Sequence, residues 1–282
     1  MDWARAKNIL ILIFLLLNVF LAFILLDILS EDNISSEIIS NARAALSDRG
    51  VIVNCEIPLY NKQIGVLTYN NTYFNKSSII KNIFGEYIEL KDAPNEKQII
   101  IENKRLLFKD DGFSFVYEDD KPEDNIGKIS GYEELMGYVN KLLLGSEIPV
   151  LNYQLDSVYE SALDGQKTYK FIQKYRGFWV YENHITVSIS DSGTFYLKCR
   201  YRPVDRIIQS KKIMPAYQVL LKNHKVIKNV VIDKIDMGFK EHKMSDGTRE
   251  IDDVPVWRVR LKDLQEKHYE RYFRVYDGEE IE

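Results

Sequence analysis

At 282 residues and 33.0 kDa the chain exceeds a single small module and suits one large domain or two ordinary ones of roughly 100 to 200 residues. Hydrophobic residues at 45% and charged residues at 28% exclude a disordered polymer, and 38 basic against 42 acidic side chains leave no broad electropositive surface for nucleic acid. Two cysteines, Cys55 and Cys199, supply neither a disulfide framework nor a Cys-rich zinc site, and they form no CxxC pair for redox chemistry.

The mean hydropathy of −0.26 conceals one uneven segment, Ile9 to Leu26, in which Asn18 is the only strongly polar residue among 18. At about 1.5 Å per residue this run nearly crosses a hydrocarbon core of roughly 30 Å, and Ile28 and Leu29 extend it past Asp27. A cleaved signal peptide is the competing reading, but Leu26-Asp27-Ile28-Leu29-Ser30-Glu31 offers no small-x-small site. Arg5 and Lys7 precede the run, while Asp27, Glu31 and Asp32 follow it. The positive-inside bias therefore predicts a cytoplasmic N-terminus, one span, and a working body outside the membrane. Near mid-span the Asn18 amide calls for a partner across a helix interface, and Phe14, Ala22 and Leu25 share its side at spacings of three and four. The alternative is that Asn18 satisfies itself locally or with water.

Beyond the span, Ile34, Ile38, Ala42, Ala45 and Leu46 recur at helical spacing, and Arg49-Gly50 supplies a stop, which predicts a helix of about four turns. Val51, Val53, Cys55, Ile57 and Leu59 alternate as in a half-buried strand, and a strand at Gly65 to Tyr69 is expected to pair with it. Ser77 to Phe84 reads as a short helix. From Tyr87 to Tyr117 apolar runs broken by turn residues predict an antiparallel meander.

Glu118 to Gly127 combines acids with Pro and Gly, and a domain boundary is expected there; the alternating oxygen ligands of a calcium loop are absent. Ser130 with Glu133 forms a capping box, and Leu135, Val139 and Leu142 line one helical face ending at Gly145. Ile185, Val187 and Ile189, the Asp191-Ser-Gly193 turn, and Phe195, Leu197, Cys199 and Tyr201 predict a hairpin with one buried face. A helix carrying Ile213, Tyr217 and Leu220, with Pro215 in its first turn, precedes strands near 230–239, 254–261 and 272–276. The expected fold class is α+β: a single N-terminal transmembrane helix, then an extracytoplasmic body of antiparallel sheets packed with helices, in two domains. Residues 1–29 form the tail and anchor, 30–122 a membrane-proximal α+β domain, and 123–282 a C-terminal domain of two helix-plus-meander units.

Catalytic signals are sparse. No GxSxG, HExxH, GxGxxG or Walker pattern occurs, and His184, His224, His242 and His268 lack metal-ligand spacing. Ser78-Ile-Ile-Lys81 matches the S-x-x-K of serine acyltransferases, but the accompanying S-D-N and K-T-G motifs are missing, so a structural role outweighs a catalytic one. Neither a catalytic residue, a cofactor, a metal nor a small-molecule substrate is expected. Cys55 and Cys199 fall on apolar strand faces as small buried hydrophobes. Trp257, Val259 and Leu261 alternate with Arg258, Arg260 and Lys262. The first set reads as core, with Trp257 structural; the second reads as a solvated face or as a surface for an acidic partner.

Three groups of residues carry a resemblance. They are Asp2-Trp3, Lys7 and the run Phe14 to Leu21; Phe171-Ile-Gln173-Lys-Tyr175 with Gly177; and Val254-Pro-Val-Trp257-Arg-Val259 followed by Tyr276-Asp-Gly-Glu279. In this order the chain resembles the YycH/YycI family, on its YycI side, of membrane-anchored regulators of the WalK (YycG) sensor histidine kinase. The resemblance implies a non-enzymatic role: a heterodimer with a YycH-like protein, contact with the kinase largely through transmembrane helices, and cell-wall homeostasis downstream. The ending is also similar to PepSY-type modules, associated with peptidase inhibition or cell-surface regulation, and a cell-wall enzyme is a third class with no catalytic set to support it.

Overall fold

The computed structural model describes residues 3–31, 35–85, 91–93, 96–122, 131–161, 165–243 and 249–281. In chain order the first elements are α1 (Trp3–Glu31), α2 (Ser36–Ser47), β1 (Val51–Val53), β2 (Ile64–Tyr69), α3 (Lys76–Phe84), β3 (Lys91–Ala93), β4 (Glu96–Ile101), β5 (Lys104–Lys109) and β6 (Ser114–Asp119). After α4 (Tyr132–Leu142) and a single 3-10 turn at Val150–Asn152 come β7 (Tyr153–Glu160), β8 (Lys167–Tyr175), β9 (Phe178–Ile189), β10 (Phe195–Arg200) and β11 (Val204–Lys211). The last are α5 (Ala216–Lys222), β12 (Val230–Lys243), β13 (Arg249–Asp263), β14 (His268–Arg274) and β15 (Glu280–Ile281). The architecture is α+β, as the periodicities predict.

Two compact units divide the chain. One comprises Met1–Gln63, Lys212–Asp236 and Val259–Glu280; the other comprises Ile64–Lys211, Met237–Arg258 and Ile281–Glu282. The acidic segment at 118–127 falls where Asp119 closes β6; the described residues stop at 122 and resume at 131.

In the larger unit, β3, β4, β5 and β6 form the expected antiparallel meander, which continues through β10, β9 and β8 to β7. The predicted hairpin is present, with Ile189 opposite Phe195, Val187 opposite Leu197 and Ile185 opposite Cys199, all on one buried face. Onto that face pack α3 through Ile79, Ile80 and Ile83 and α4 through Leu135, Val139 and Leu142, sealing the core around Phe108, Phe115, Tyr117 and Phe171. Asn75 caps α3 by accepting from the Ser78 N–H at 3.2 Å, and Asn82 donates to the Leu142 and Leu144 carbonyls at 3.1 and 2.8 Å, satisfying groups that the end of α4 leaves open. The cap of α4 is Gly131 without a side-chain bond; the capping box assigned to Ser130 lies outside the described residues.

The smaller unit holds α1, α2, β1 and α5 with parts of β12 and β13 and with β14. Ser35 caps α2 by accepting from the Ile38 N–H, and Ala42 and Leu46 are its buried residues; Ile34 lies outside the described residues. The predicted strand over 51–59 shrinks to Val51–Val53: Asn54 N–H makes a last bond to the Ile232 carbonyl, and Pro58 lacks the N–H a ladder needs. β1 runs parallel to β12, with Val51 opposite Val230, whereas β2 pairs with β11 and, at Leu67, with Asp253 of β13. The expected pairing of the 51–59 strand with β2 is thus corrected. A tight hairpin would have imposed it, but strands far apart in sequence are free to pair in either direction. A second parallel pair, Gly238 opposite Trp179 and Phe239 opposite Val180, makes the sheet mixed rather than purely antiparallel. Gly238 is required there, because a Cβ would stand 2.4 Å from the Trp179 carbonyl oxygen.

Candidate functional site

The most organised polar region grows from a mismatch in strand length. β8 turns into β9 through Arg176 and Gly177, both with positive φ of 50° and 89°, the geometry of a type I′ hairpin that glycine favours. Pairing then jumps from Gln173 opposite Val180 to Ile172 opposite His184, so Tyr181, Glu182 and Asn183 have no opposite residue in β8. Each takes a polar partner instead. The Tyr181 ring lies 4.7 Å from the Arg258 guanidinium; Glu182 meets Arg200 at 3.6 Å and Lys240 at 3.9 Å. Asn183 donates to Gln173 Oε1 at 2.6 Å and to the Arg202 carbonyl at 2.7 Å, and accepts from the Arg202 N–H at 2.8 Å.

Arg258, read from the sequence as part of an outward basic row, is completely buried. Its Nη1 and Nη2 donate to Asp156 Oδ2 and Oδ1 at 3.1 and 2.8 Å, a bidentate fork inside the protein. The partner was invisible in the sequence because Asp156 is the extra residue of a bulge in β7, between Leu155 opposite Phe171 and Ser157 opposite Lys170. A bulge re-aims one side chain against the strand's alternation. Trp257, Val259 and Leu261 are buried as predicted, so both faces of β13 are interior at this point. Arg260 Nε pairs with Glu270 at 2.8 Å and Lys262 Nζ with Glu266 at 2.9 Å, the latter a screened surface pair of little energetic weight.

A second buried cluster joins Tyr69, Arg202 and Asp253. The Tyr69 hydroxyl donates to Asp253 Oδ2, Arg202 Nη1 donates to Asp253 Oδ1 at 3.1 Å, and the guanidinium stacks 3.7 Å above the Tyr69 ring. Burial pushes the Asp253 carboxyl up from 3.8 to about 6, outweighing the hydrogen bond from Tyr69 and the charge of Arg202 that pull it down. Burial also holds the Tyr69 phenol well above its usual range.

Beside α4 lies a groove of about 670 Å³ bordered by Tyr132, Met136 and Gly137 of α4, by Leu151, and by Leu155 and Phe171 of β7 and β8. Leu151, which borders the groove, is 91% exposed, and among the described residues β7 pairs with β8.

Asn18 donates its Nδ2 to the Phe14 carbonyl at 2.7 Å, within α1 itself, and Phe14 is 67% exposed. Ala22 is exposed on the same helix, while the side chain of Leu25 lies outside the described residues. Among the described residues no helix is long and apolar enough to cross a membrane.

Both cysteines are free thiols; Cys199 is buried, which raises its pKa well above the usual value, and Cys55 is half-buried beyond the end of β1. Ser78 occupies the first turn of α3 with its backbone N–H engaged by Asn75, and Lys81 is exposed to water. Among the described residues no group of three His, Cys, Asp or Glu is placed to hold a metal ion.

The motifs that carried the resemblance coincide with these hubs: Gln173 accepts from Asn183, Gly177 makes the β8–β9 turn, and Trp257-Arg258 carries the buried fork. Asp277 and Glu279 both receive Arg274, and Gly278 offers its carbonyl to Asn223 at 2.8 Å. No curated protein matches the chain. The family model described as YycI protein matches residues 29–275, most of the chain. The protein therefore belongs to the YycI family, a regulatory family of the WalK (YycG) two-component system.

Proposed function

We propose that the protein is a single-pass membrane regulator of a WalK-type sensor histidine kinase, with its N-terminus in the cytoplasm and its body outside, acting in a heterodimer with a YycH-like protein to control cell-wall homeostasis. The observation that carries this reading is the family match over 29–275. Its topology is supported by the apolar α1, which at about 1.5 Å per residue is longer than the roughly 30 Å hydrocarbon core, and by the basic residues before the apolar run and the acidic ones after it.

In this reading Phe14, Asn18, Ala22 and Leu25 form the helix face that meets the kinase. One Asn18 N–H is used within α1, but the amide has a second N–H and an oxygen to offer a neighbouring helix. Of the basic row on β13, Arg260 and Lys262 are the members with exposed surface for an acidic partner, since Arg258 is enclosed.

Co-purification from detergent-solubilised membranes tests the reading: a histidine kinase and a YycH-like protein should be recovered with the full chain, and recovery of neither overturns it. Cysteines placed along α1 should crosslink to the kinase from the Asn18 face; equal crosslinking from every face removes that face from the proposal. Protease added to intact cells should digest the body and spare the N-terminus.

A further inference from the structure

The sheet face of the larger unit that α3 and α4 do not cover has a chemistry of its own. Lys170 of β8 stands opposite Thr186 of β9, and Thr186 opposite Lys198 of β10, while Ser157 of β7 stands opposite Lys170. Residues opposite one another share a face, and neighbouring strands lie about 4.8 Å apart, so the two lysine backbones flank Thr186 at about 10 Å from each other. One row along the same face, His184 stands between Ile172 and Arg200. Lys170, Thr186, Lys198 and His184 are all half-buried.

Three observations converge. Neither Lys170 nor Lys198 has an acidic partner among the described residues, whereas Arg200 is engaged by Glu182 and Glu241 at 3.6 and 3.4 Å. Of the carboxylates nearby, Asp111 accepts from the Phe113 and Ser114 N–H groups and from the Ser114 hydroxyl, and among the described residues no ion pair joins Glu118 to either lysine. Among the described residues Ser157 Oγ on this face is buried with no hydrogen-bond partner, and the buried His184 Nδ1 makes no well-formed bond, although the ring is within reach of the Tyr181 backbone. Buried polar atoms are nearly always satisfied, so an orphan hydroxyl beside two ammoniums without acidic partners marks a place for an acceptor-rich group. Burial first, and then the charges of Lys170, Lys198 and Arg200, hold the His184 imidazole down at about 4, against a backbone hydrogen bond to Tyr181 that raises it. An anion placed there relieves that repulsion.

The geometry points to a phosphate-binding site on this face, in which Lys170 and Lys198 close over a phosphate group, free or esterified, while Thr186, Ser157 and His184 supply further hydrogen bonds. Phosphate fits better than carboxylate on two counts. Two unpaired lysines balance a charge of about −1.5 to −2, and the donors are spread over four strands, β7 to β10, which suits the several oxygens of a tetrahedral group more than the two of a planar one. Lysine stems are flexible enough to converge from neighbouring strands.

The test uses the full chain in non-ionic detergent, with the histidine ring resonances followed by NMR as inorganic phosphate is added. A saturable shift is expected at His184, with a rise in its pKa, while His224, His242 and His268 stay unmoved. K170Q/K198Q should weaken the apparent affinity by about tenfold or more with an unchanged Tm. T186V, which alters no charge, is the second variant and should weaken it by about threefold. Competition by phosphatidic acid vesicles, whose headgroup is a phosphate monoester, identifies an esterified phosphate as the ligand, and its absence identifies a free one. Absence of a saturable shift, equal affinity in K170Q/K198Q, or a glutamate-rich peptide binding as tightly as phosphate overturns the proposal.

Discussion

Two arginines of the larger unit are enclosed with an aspartate each, yet their surroundings differ. Arg258 and Asp156 form a bidentate fork, with Tyr181 stacked on the guanidinium and both side chains wholly buried. Arg202 meets Asp253 through one nitrogen at 3.1 Å; Asp253 also receives the Tyr69 hydroxyl, and the Arg202 side chain keeps 11% of its surface. Removing Arg258 leaves the Asp156 charge fully enclosed. Removing Arg202 leaves an acid that still accepts from Tyr69 and, with the cation gone, takes up a proton more readily. Depth of burial and the ease of neutralising the charge left behind, more than the ion pair itself, therefore set what each site contributes.

The largest effect should come from Arg258→Met, which strands Asp156: urea denaturation of the full chain in detergent should show a loss of about 3 to 5 kcal/mol. Adding Asp156→Leu should recover most of it. If the double variant is no more stable than the single one, the fork carries more than its own charges.

Next comes pH. The Asp253 pKa is higher in the folded state, about 6 against 3.8, so its contribution to stability is complete below pH 4 and is lost as pH rises to about 6, on the order of 3 kcal/mol. His184 works the other way: its folded pKa is lowered to about 4, so its contribution is present above pH 6.5 and fades as pH falls towards 4. The two offset each other in one window. Asp253→Asn should therefore expose a stability loss between pH 6.5 and 4 that the natural chain masks, and an unchanged pH profile would contradict the assignment.

Arg202→Met should cost about 2 kcal/mol at neutral pH, less than Arg258→Met, because Tyr69 still donates to Asp253. If the two losses are equal, the comparison fails. The smallest effect is a gain. Gly137 sits in the middle of α4, and a Cβ there meets nothing within 4 Å, so Gly137→Ala should stabilise the chain by about 0.5 to 1 kcal/mol while narrowing the groove beside β7.

Period and punctuation alone determined much of this protein. The apolar run over Ile9 to Leu26, the helices at 76–84 and 132–142, the hairpin around Asp191 to Gly193 and the burial of Trp257 all follow from local patterns, because spacing dictates which side chains share a face. The family resemblance was legible for the same reason: its motifs lie at turns and strand cores. What the tertiary structure decided lies where local pattern breaks. Asp156 reaches Arg258 through a β7 bulge, Tyr181 to Asn183 find partners because β9 outruns β8, and β1 takes β12 as a parallel neighbour about 180 residues away. Bulges and long-range pairings are chosen by the fit of whole strands, and alternation along a single strand carries no record of a partner that arrives from another part of the chain.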